Sequence, residues 1–342
     1  MDRPARPDIA VDPFRERGTK LLRLSLSLLG GRFEFQTASR EFMRLVRWAY
    51  ANLPAHRMST AAPRYAIRLV LGDSDAARHA HEPAPLTMLS GAGLLCGASP
   101  SVSAAIVSAE QRTGLVIAAR DMLRFPYHLR YELIEFAVFT LAQRVQGLIP
   151  LHAACVGSGR RGILLIGGSG AGKSTAVLHC ALAGLDLLSE DSLFVAPRSL
   201  LATGVANFLH VRAESLRFLS SRDAALLRRS PTIRRRSGVE KLEVDLRQRR
   251  FRLARAPLEV VGVVDLTRRL ARGGPLLTRL GTRELLQRLR ASQPYAASQP
   301  GWRTFVQRIR AVPAFELRRG RHPRETAQAL RQLLSEGGSA RR

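Results

Sequence analysis

Residues 162–175 read GILLIGGSGAGKST, and this stretch decides the fold. The apolar run Gly162–Ile166 has the length and character of a buried strand. Gly167 to Ser174 then fits GxxxxGK[ST] in full, and Thr175 follows. Glycines let a chain bend so that successive backbone N–H groups converge on one anion. Residues 173–183 carry a helical pattern closed by Gly184, which brings the positive end of a helix dipole to the same point. At this spacing Lys173 reaches the β- and γ-phosphates of a nucleotide as a compact charge, and the Ser174 hydroxyl takes the place of a Mg²⁺ ligand. Nucleotide contacts are therefore expected from Gly167, Gly168, Ser169, Gly170, Ala171, Gly172, Lys173, Ser174 and Thr175. A Gly/Ser-rich turn imitates part of such a motif, but it rarely supplies Lys-Ser-Thr at a helix start.

A phosphate cradle is half a site. The metal needs a carboxylate, and a transferase needs a base for the incoming hydroxyl. Asp191 lies 18 residues after Lys173, at the end of LLSED. One helix and one returning strand fill that interval, which sets Glu190 and Asp191 beside the cradle. Both are candidate metal ligands together with Ser174, and both are candidate bases. The competing reading is a solvated turn of two acids. His152 begins the strand before the phosphate-loop strand. Hairpin pairing of the two strands sets it near the far end of the second, so sequence alone does not bring it into the site. The remaining histidines, His179 among them, fit no metal-ligand spacing and read as structural or surface residues.

The chain of 342 residues carries a formal charge of +27, from 54 basic and 27 acidic residues. Of the basic residues only Lys20, Lys173 and Lys241 are lysine. Such an arginine bias reads as a compositional habit, which makes a retained lysine informative because an ammonium and a guanidinium are not equivalent. Lys241, after the basic run Arg234–Arg236, is the candidate second cation for charge developing on a transferred phosphoryl group. No nucleic-acid motif accompanies the charge, and aromatic residues are only 6%, so nucleic acid is disfavoured as a partner. Cys96, Cys155 and Cys180 are odd in number and widely spaced, as buried thiols in a reducing compartment are. Neither a signal-peptide pattern nor a run of about 18 apolar residues occurs, so cytoplasm is the expected compartment and no membrane partner is expected.

Hydropathy patterning divides the chain. Residues 1–19 read as a flexible N-terminus, and 20–125 as an accessory α+β domain. Strands are expected at Leu22–Leu29, Arg32–Phe35 and Tyr65–Leu71, with a helix carrying Phe42, Leu45, Val46, Ala49 and Tyr50. Ala104–Ser108 and Gly114–Ala118 form an expected hairpin, and Gly72–Pro85 an expected loop. Residues 126–145 read as a linking helix. The nucleotide-binding domain spans 146–336, with a mobile basic loop at Arg222–Ser237, and 337–342 is an expected disordered tail.

The stretch LHAACVGSGRRGILLIGGSGAGKSTAVLHCALAGLDLLSEDSLFV, residues 151–195, resembles the core of HPr kinase/phosphorylase and its related serine kinases. The order is shared: a strand with a histidine, a turn, a strand, GxSGxGKS, one helix, then a strand ending in two acids. A weaker likeness continues through GVEKLEVDL and PAFELRRGRHPRETAQALRQLL. The resemblance implies an α/β fold, with a P-loop domain of HPr kinase and phosphoenolpyruvate carboxykinase type. By position it implies that His152 is an active-site histidine and that Glu190 and Asp191 stand for the family's paired aspartates. It implies ATP and Mg²⁺, and as acceptor the serine of a protein or peptide, such as an HPr-like protein or a natural-product precursor of the lasso-peptide kind. It leaves a homo-oligomer open. The family's glycine-rich signature after the acidic strand is absent, and ATGVANFLHVR stands in its region, which argues against a phosphorylase activity. Two readings compete with an ATP-dependent serine kinase. A small-molecule kinase also places acids at this distance, and a nucleotide-dependent switch would need no transfer chemistry.

Overall fold

The segment Gly31–Thr37, GRFEFQT, buries every second residue, the period of a strand with one face on a core. In the computed structural model, which describes residues 20–72, 82–100 and 102–336, it is the second strand of a seven-stranded sheet. The strand order is Leu22–Leu28, Gly31–Thr37, Arg64–Gly72, Thr113–Ala119, Ala104–Ser108, Leu94–Ala98 and Thr87–Gly91. The first pairing turns over Leu29 and Gly30, and Thr113–Ala119 pairs with Ala104–Ser108 as expected. Thr87–Gly91 and Leu94–Ala98 form a further hairpin, beyond the strands expected from hydropathy. The expected N-terminal and C-terminal tails, and most of the expected loop at 72–85, lie outside the described residues.

Helix Arg40–Tyr50 covers the sheet. Ser39 caps it by accepting a hydrogen bond from the Phe42 N–H at 3.1 Å, and Phe42, Leu45, Val46, Ala49 and Tyr50 turn inward. The expected linking helix is an integral part of this body. Its helical stretch from Pro126 to Gln146 contains a π-helical turn at Leu129–Ile134, and it shares one core with Phe33, Phe35, Ile67 and Val116. Burying such side chains contributes roughly 1.5–3 kcal/mol each, far more than a linker would gain.

The second body is built on a ten-stranded mixed sheet. The continuous apolar run of Arg161–Ile166 is buried on both faces, as a central strand of an α/β sheet must be. It pairs antiparallel with Ala154–Ser158 and parallel with Leu258–Leu270, which in turn pairs parallel with Ala314–Arg319. Helices Lys173–Leu182 and Pro323–Glu336 share one core below the sheet, and Thr282–Ser292 and Trp302–Ile309 pack into another. The strands Asp186–Ser189 and Ser192–Val195 do not pair with each other. The first lies on Ala154–Ser158 and the second between Ile149–His152 and Leu201–Gly204.

The basic stretch 222–237 is not a free loop. Ser221–Leu227 is a helix with Ser220 as its cap, and Thr232–Arg234 joins Glu240–Asp245 and Phe208–Val211 in a three-stranded sheet. Ala224, Leu227 and Ile233 supply the buried anchors that the surrounding arginines obscured. Among the described residues no helix is long and apolar enough to cross a membrane.

Candidate functional site

Strands Arg161–Ile166, Asp186–Ser189, Leu258–Leu270 and Ala314–Arg319 run in one direction. Segments following three of them meet at their carboxyl ends, where open α/β sheets hold ligands. These segments are 167–172, Glu190-Asp191 and the turn from Gly320. They surround a cleft of about 660 Å³ that His152, His210, Arg235 and Lys241 also line.

The glycine loop is built by necessity at its first residue. Gly167 has φ +143, and a Cβ there would stand 2.6 Å from the Leu266 carbonyl oxygen. Arg268 donates to the Ser169 carbonyl at 2.6 Å and Arg319 to the Gly170 carbonyl at 2.7 Å, so two guanidinium groups hold the loop from outside. Helix Lys173–Leu182 begins at its end, and its first N–H groups lack intrahelical acceptors. Lys173 Nζ folds back 2.5 Å from the Gly167 carbonyl oxygen. Thr175 Oγ1 lies 3.0 Å from Ser215 Oγ, turned toward a neighbouring wall.

The two acids face different ways. Glu190 is buried and accepts a hydrogen bond from Ser174 Oγ at 2.5 Å. Asp191 is partly exposed, with Oδ1 3.0 Å from His152 Nδ1 and Oδ2 3.7 Å from Arg235. Burial opposes ionisation of Asp191. The hydrogen bond from His152 and the charges of His152, Arg235 and Lys173 outweigh it and hold the carboxyl below its ordinary value.

His152 reaches Asp191 because the chain breaks at Ala153. Residues 154–158 pair with the phosphate-loop strand, whereas Ile149–His152 pairs with Ser192–Val195 and sets His152 opposite Ser192. Gln293 completes the placement. Its amide accepts from the His152 N–H at 2.7 Å and donates to the His152 carbonyl at 3.1 Å, as a neighbouring strand would.

His210, one of the histidines read as structural or surface, belongs to this site. Strand pairing sets it opposite Glu243, and its ring lies buried between two carboxylates. Nε2 is 3.2 Å from Glu243 and Nδ1 is 3.6 Å from Glu190. Burial disfavours its charge, but hydrogen bonds to Glu190 and Glu243 win and raise its pKa. Behind it Glu243 pairs with the fully buried Arg130, whose guanidinium stacks 4.1 Å from the Trp48 ring centre. The only sequence signal for this residue is the short apolar run FLHV around it, which marks a buried strand and nothing more.

Lys241 lines the cleft as a half-buried cation. Burial and then the neighbouring Arg235 lower its pKa, while Glu190 and Asp191 act in the opposite sense. The turn before its strand is held by Arg236, which donates to Glu132 at 2.5 and 2.6 Å and to the Pro83 carbonyl at 2.6 Å.

Among the described residues no cluster of three or more His, Cys, Asp or Glu side chains is arranged to hold a metal ion. A hydroxyl and a carboxylate oxygen do meet at Ser174 and Glu190. That donor set fits Mg²⁺, which takes one or two protein oxygens and fills its shell with phosphate and water.

No family model matches the chain, and no curated protein matches it. Among solved structures it is similar to that of the Hpr(Ser) kinase/phosphatase from Coxiella burnetii, at 12% identity over 56% of this chain and 90% of that chain. The TM-score of that likeness is 0.29.

Proposed function

We propose that the protein is an ATP- and Mg²⁺-dependent kinase that transfers the γ-phosphoryl group to a serine hydroxyl of a protein or peptide. One observation carries this reading. A glycine loop ending in Lys173-Ser174 faces, across one cleft, a carboxylate on Ser174 and a second carboxylate on a histidine. That is the division of labour phosphoryl transfer needs: one acid for the metal, one for the hydroxyl proton.

In this reading the loop N–H groups and Lys173 bind the phosphates. Ser174 and Glu190 would hold Mg²⁺, which would neutralise charge on the phosphates. The ionised Asp191 takes the proton of the acceptor hydroxyl. The hydroxyl oxygen forms a bond to the γ-phosphorus while the bond to the oxygen bridging the β-phosphate breaks, and ADP leaves. His152 fixes the orientation of Asp191, and Arg235 and Lys241 are placed to offset charge on the transferred group. The apolar walls beside His152 favour a polypeptide acceptor over a sugar or small acid.

Incubating the pure protein with γ-labelled ATP, Mg²⁺ and a lysate of its source tests this. Label is expected on a protein or peptide, and Asp191→Asn is expected to abolish it. Label only on a small molecule, or nowhere, would overturn the proposal.

A further inference from the structure

A second cleft, of about 960 Å³, meets the first at His152 and Asp191, which line both. Its walls come from both bodies: the hairpin Thr87–Gly91/Leu94–Ala98, the helix Glu135–Gln146, and residues 292–296. They are mostly apolar, with Met88, Leu89, Leu95, Phe136, Phe139 and Phe194 among them. Met88 and Leu89 are 61% and 60% exposed, large apolar side chains held in water beside a candidate reaction centre.

Two further features say what would cover them. Thr87–Gly91 is the last strand of its sheet and is exposed through all five residues. Among the described residues it has one ladder partner, Leu94–Ala98, so one row of its backbone groups is left for another extended chain. The charges of the groove are also uneven. Glu132 is paired with Arg236, Asp191 with His152, and burial pushes the Glu135 carboxyl up to about 8. Arg144 lines the same wall, and its Nε is buried without a hydrogen-bond partner among the described residues. The groove therefore presents apolar surface, a sheet edge and a cation.

We propose that this groove binds the acceptor: an extended polypeptide segment with apolar side chains and one acidic residue, laid along the strand Thr87–Gly91 so that its hydroxyl arrives at Asp191, where the two clefts meet. The fate of that hydroxyl rests on the phosphoryl-transfer reading. The choice of segment rests on the groove alone.

The test uses the full chain and two fluorescein-labelled synthetic peptides of equal length, read by fluorescence anisotropy. One carries leucine and phenylalanine around a central serine, plus one aspartate. The other has glycine at the apolar positions. The first is expected to bind about tenfold or more tightly than the second. Met88→Glu with Leu89→Glu, both on exposed positions, is expected to remove that advantage while ATP binding is kept. Arg144→Gln is expected to weaken the aspartate peptide and leave unchanged a third peptide with asparagine in place of the aspartate. Equal binding of the two peptides, binding of neither, or an unaffected double variant overturns the groove. If the apolar peptide binds as expected but receives no phosphate from labelled ATP, the groove stands and the kinase reading falls. If serine is phosphorylated but the peptide KM is untouched by the double variant, the kinase reading stands and the groove falls.

Discussion

His152 Nδ1 and Asp191 Oδ1 lie 3.0 Å apart, although His152 ends one strand of the mixed sheet and Asp191 lies in the bend between two others. A histidine fixed at its own backbone by Gln293 thus orients a carboxylate at the junction of two clefts. If Asp191 is the base, Asp191→Asn lowers turnover by about 10²-fold or more with ATP affinity kept. Steady-state kinetics with a phosphorylated acceptor measures this, and unimpaired turnover would reduce the pair to a structural contact.

The same pair sets a pH dependence. His152 helps to hold the Asp191 carboxyl below its ordinary value. Loss of that help raises the carboxyl's pKa, so the base is protonated at higher pH. In His152→Ala the acid limb of the rate profile is expected to move to higher pH. An unmoved limb with a uniformly lower rate would assign His152 to substrate contact instead.

Ser174 and Glu190 make a separate prediction. Glu190→Gln is expected to raise the Mg²⁺ concentration for half-activation by about tenfold or more, and His210→Gln, which leaves the ligand but loosens its support, by about tenfold. A Mg²⁺ titration at fixed ATP reads both. Identical half-activation in all three proteins would remove the metal from this pair.

Stability should fall as pH rises from mildly acidic to mildly alkaline. Burial, only partly offset by Arg130 and His210, raises Glu135 from an ordinary 4.5 to about 8. Between those values the folded chain holds a proton that the unfolded chain has lost, so ionisation favours unfolding. His210, raised above 6.5, acts in the same sense. Its contribution is complete below 6.5 and fades as pH passes its folded value. Melting temperatures between pH 5 and 8 are expected to fall less steeply in Glu135→Gln than in the parent protein, and equal slopes would contradict this.

The readable part of the site is the part made by neighbours along the chain. Gly167 to Thr175 and the pair Glu190-Asp191 are joined by one helix and one strand, so spacing alone set them together. His152 was ambiguous because its position depends on a one-residue break at Ala153, which no residue type announces. His210 was missed because its partners Glu190 and Glu243 reach it through sheet pairing and packing. Arginine-rich composition hid the helix and strand in 221–234, where three apolar anchors suffice. The apolar groove joins residues 88, 136, 194 and 295, a juxtaposition that exists only after both bodies have formed.

Calorimetric titration of Mg·ATP shows whether the loop from Gly167 binds ATP through Lys173. Lys173 offers a compact charge in a narrow loop, a role that the planar fork of arginine does not fill. A charged hydrogen bond of this kind is worth roughly 1.5–3 kcal/mol, or about ten- to a hundredfold in affinity. The parent chain is expected to bind one ATP, with Lys173→Ala and Lys173→Arg both weaker by that factor. Absence of binding by the parent chain, or equal binding by all three proteins, would remove Lys173 and its loop from nucleotide binding.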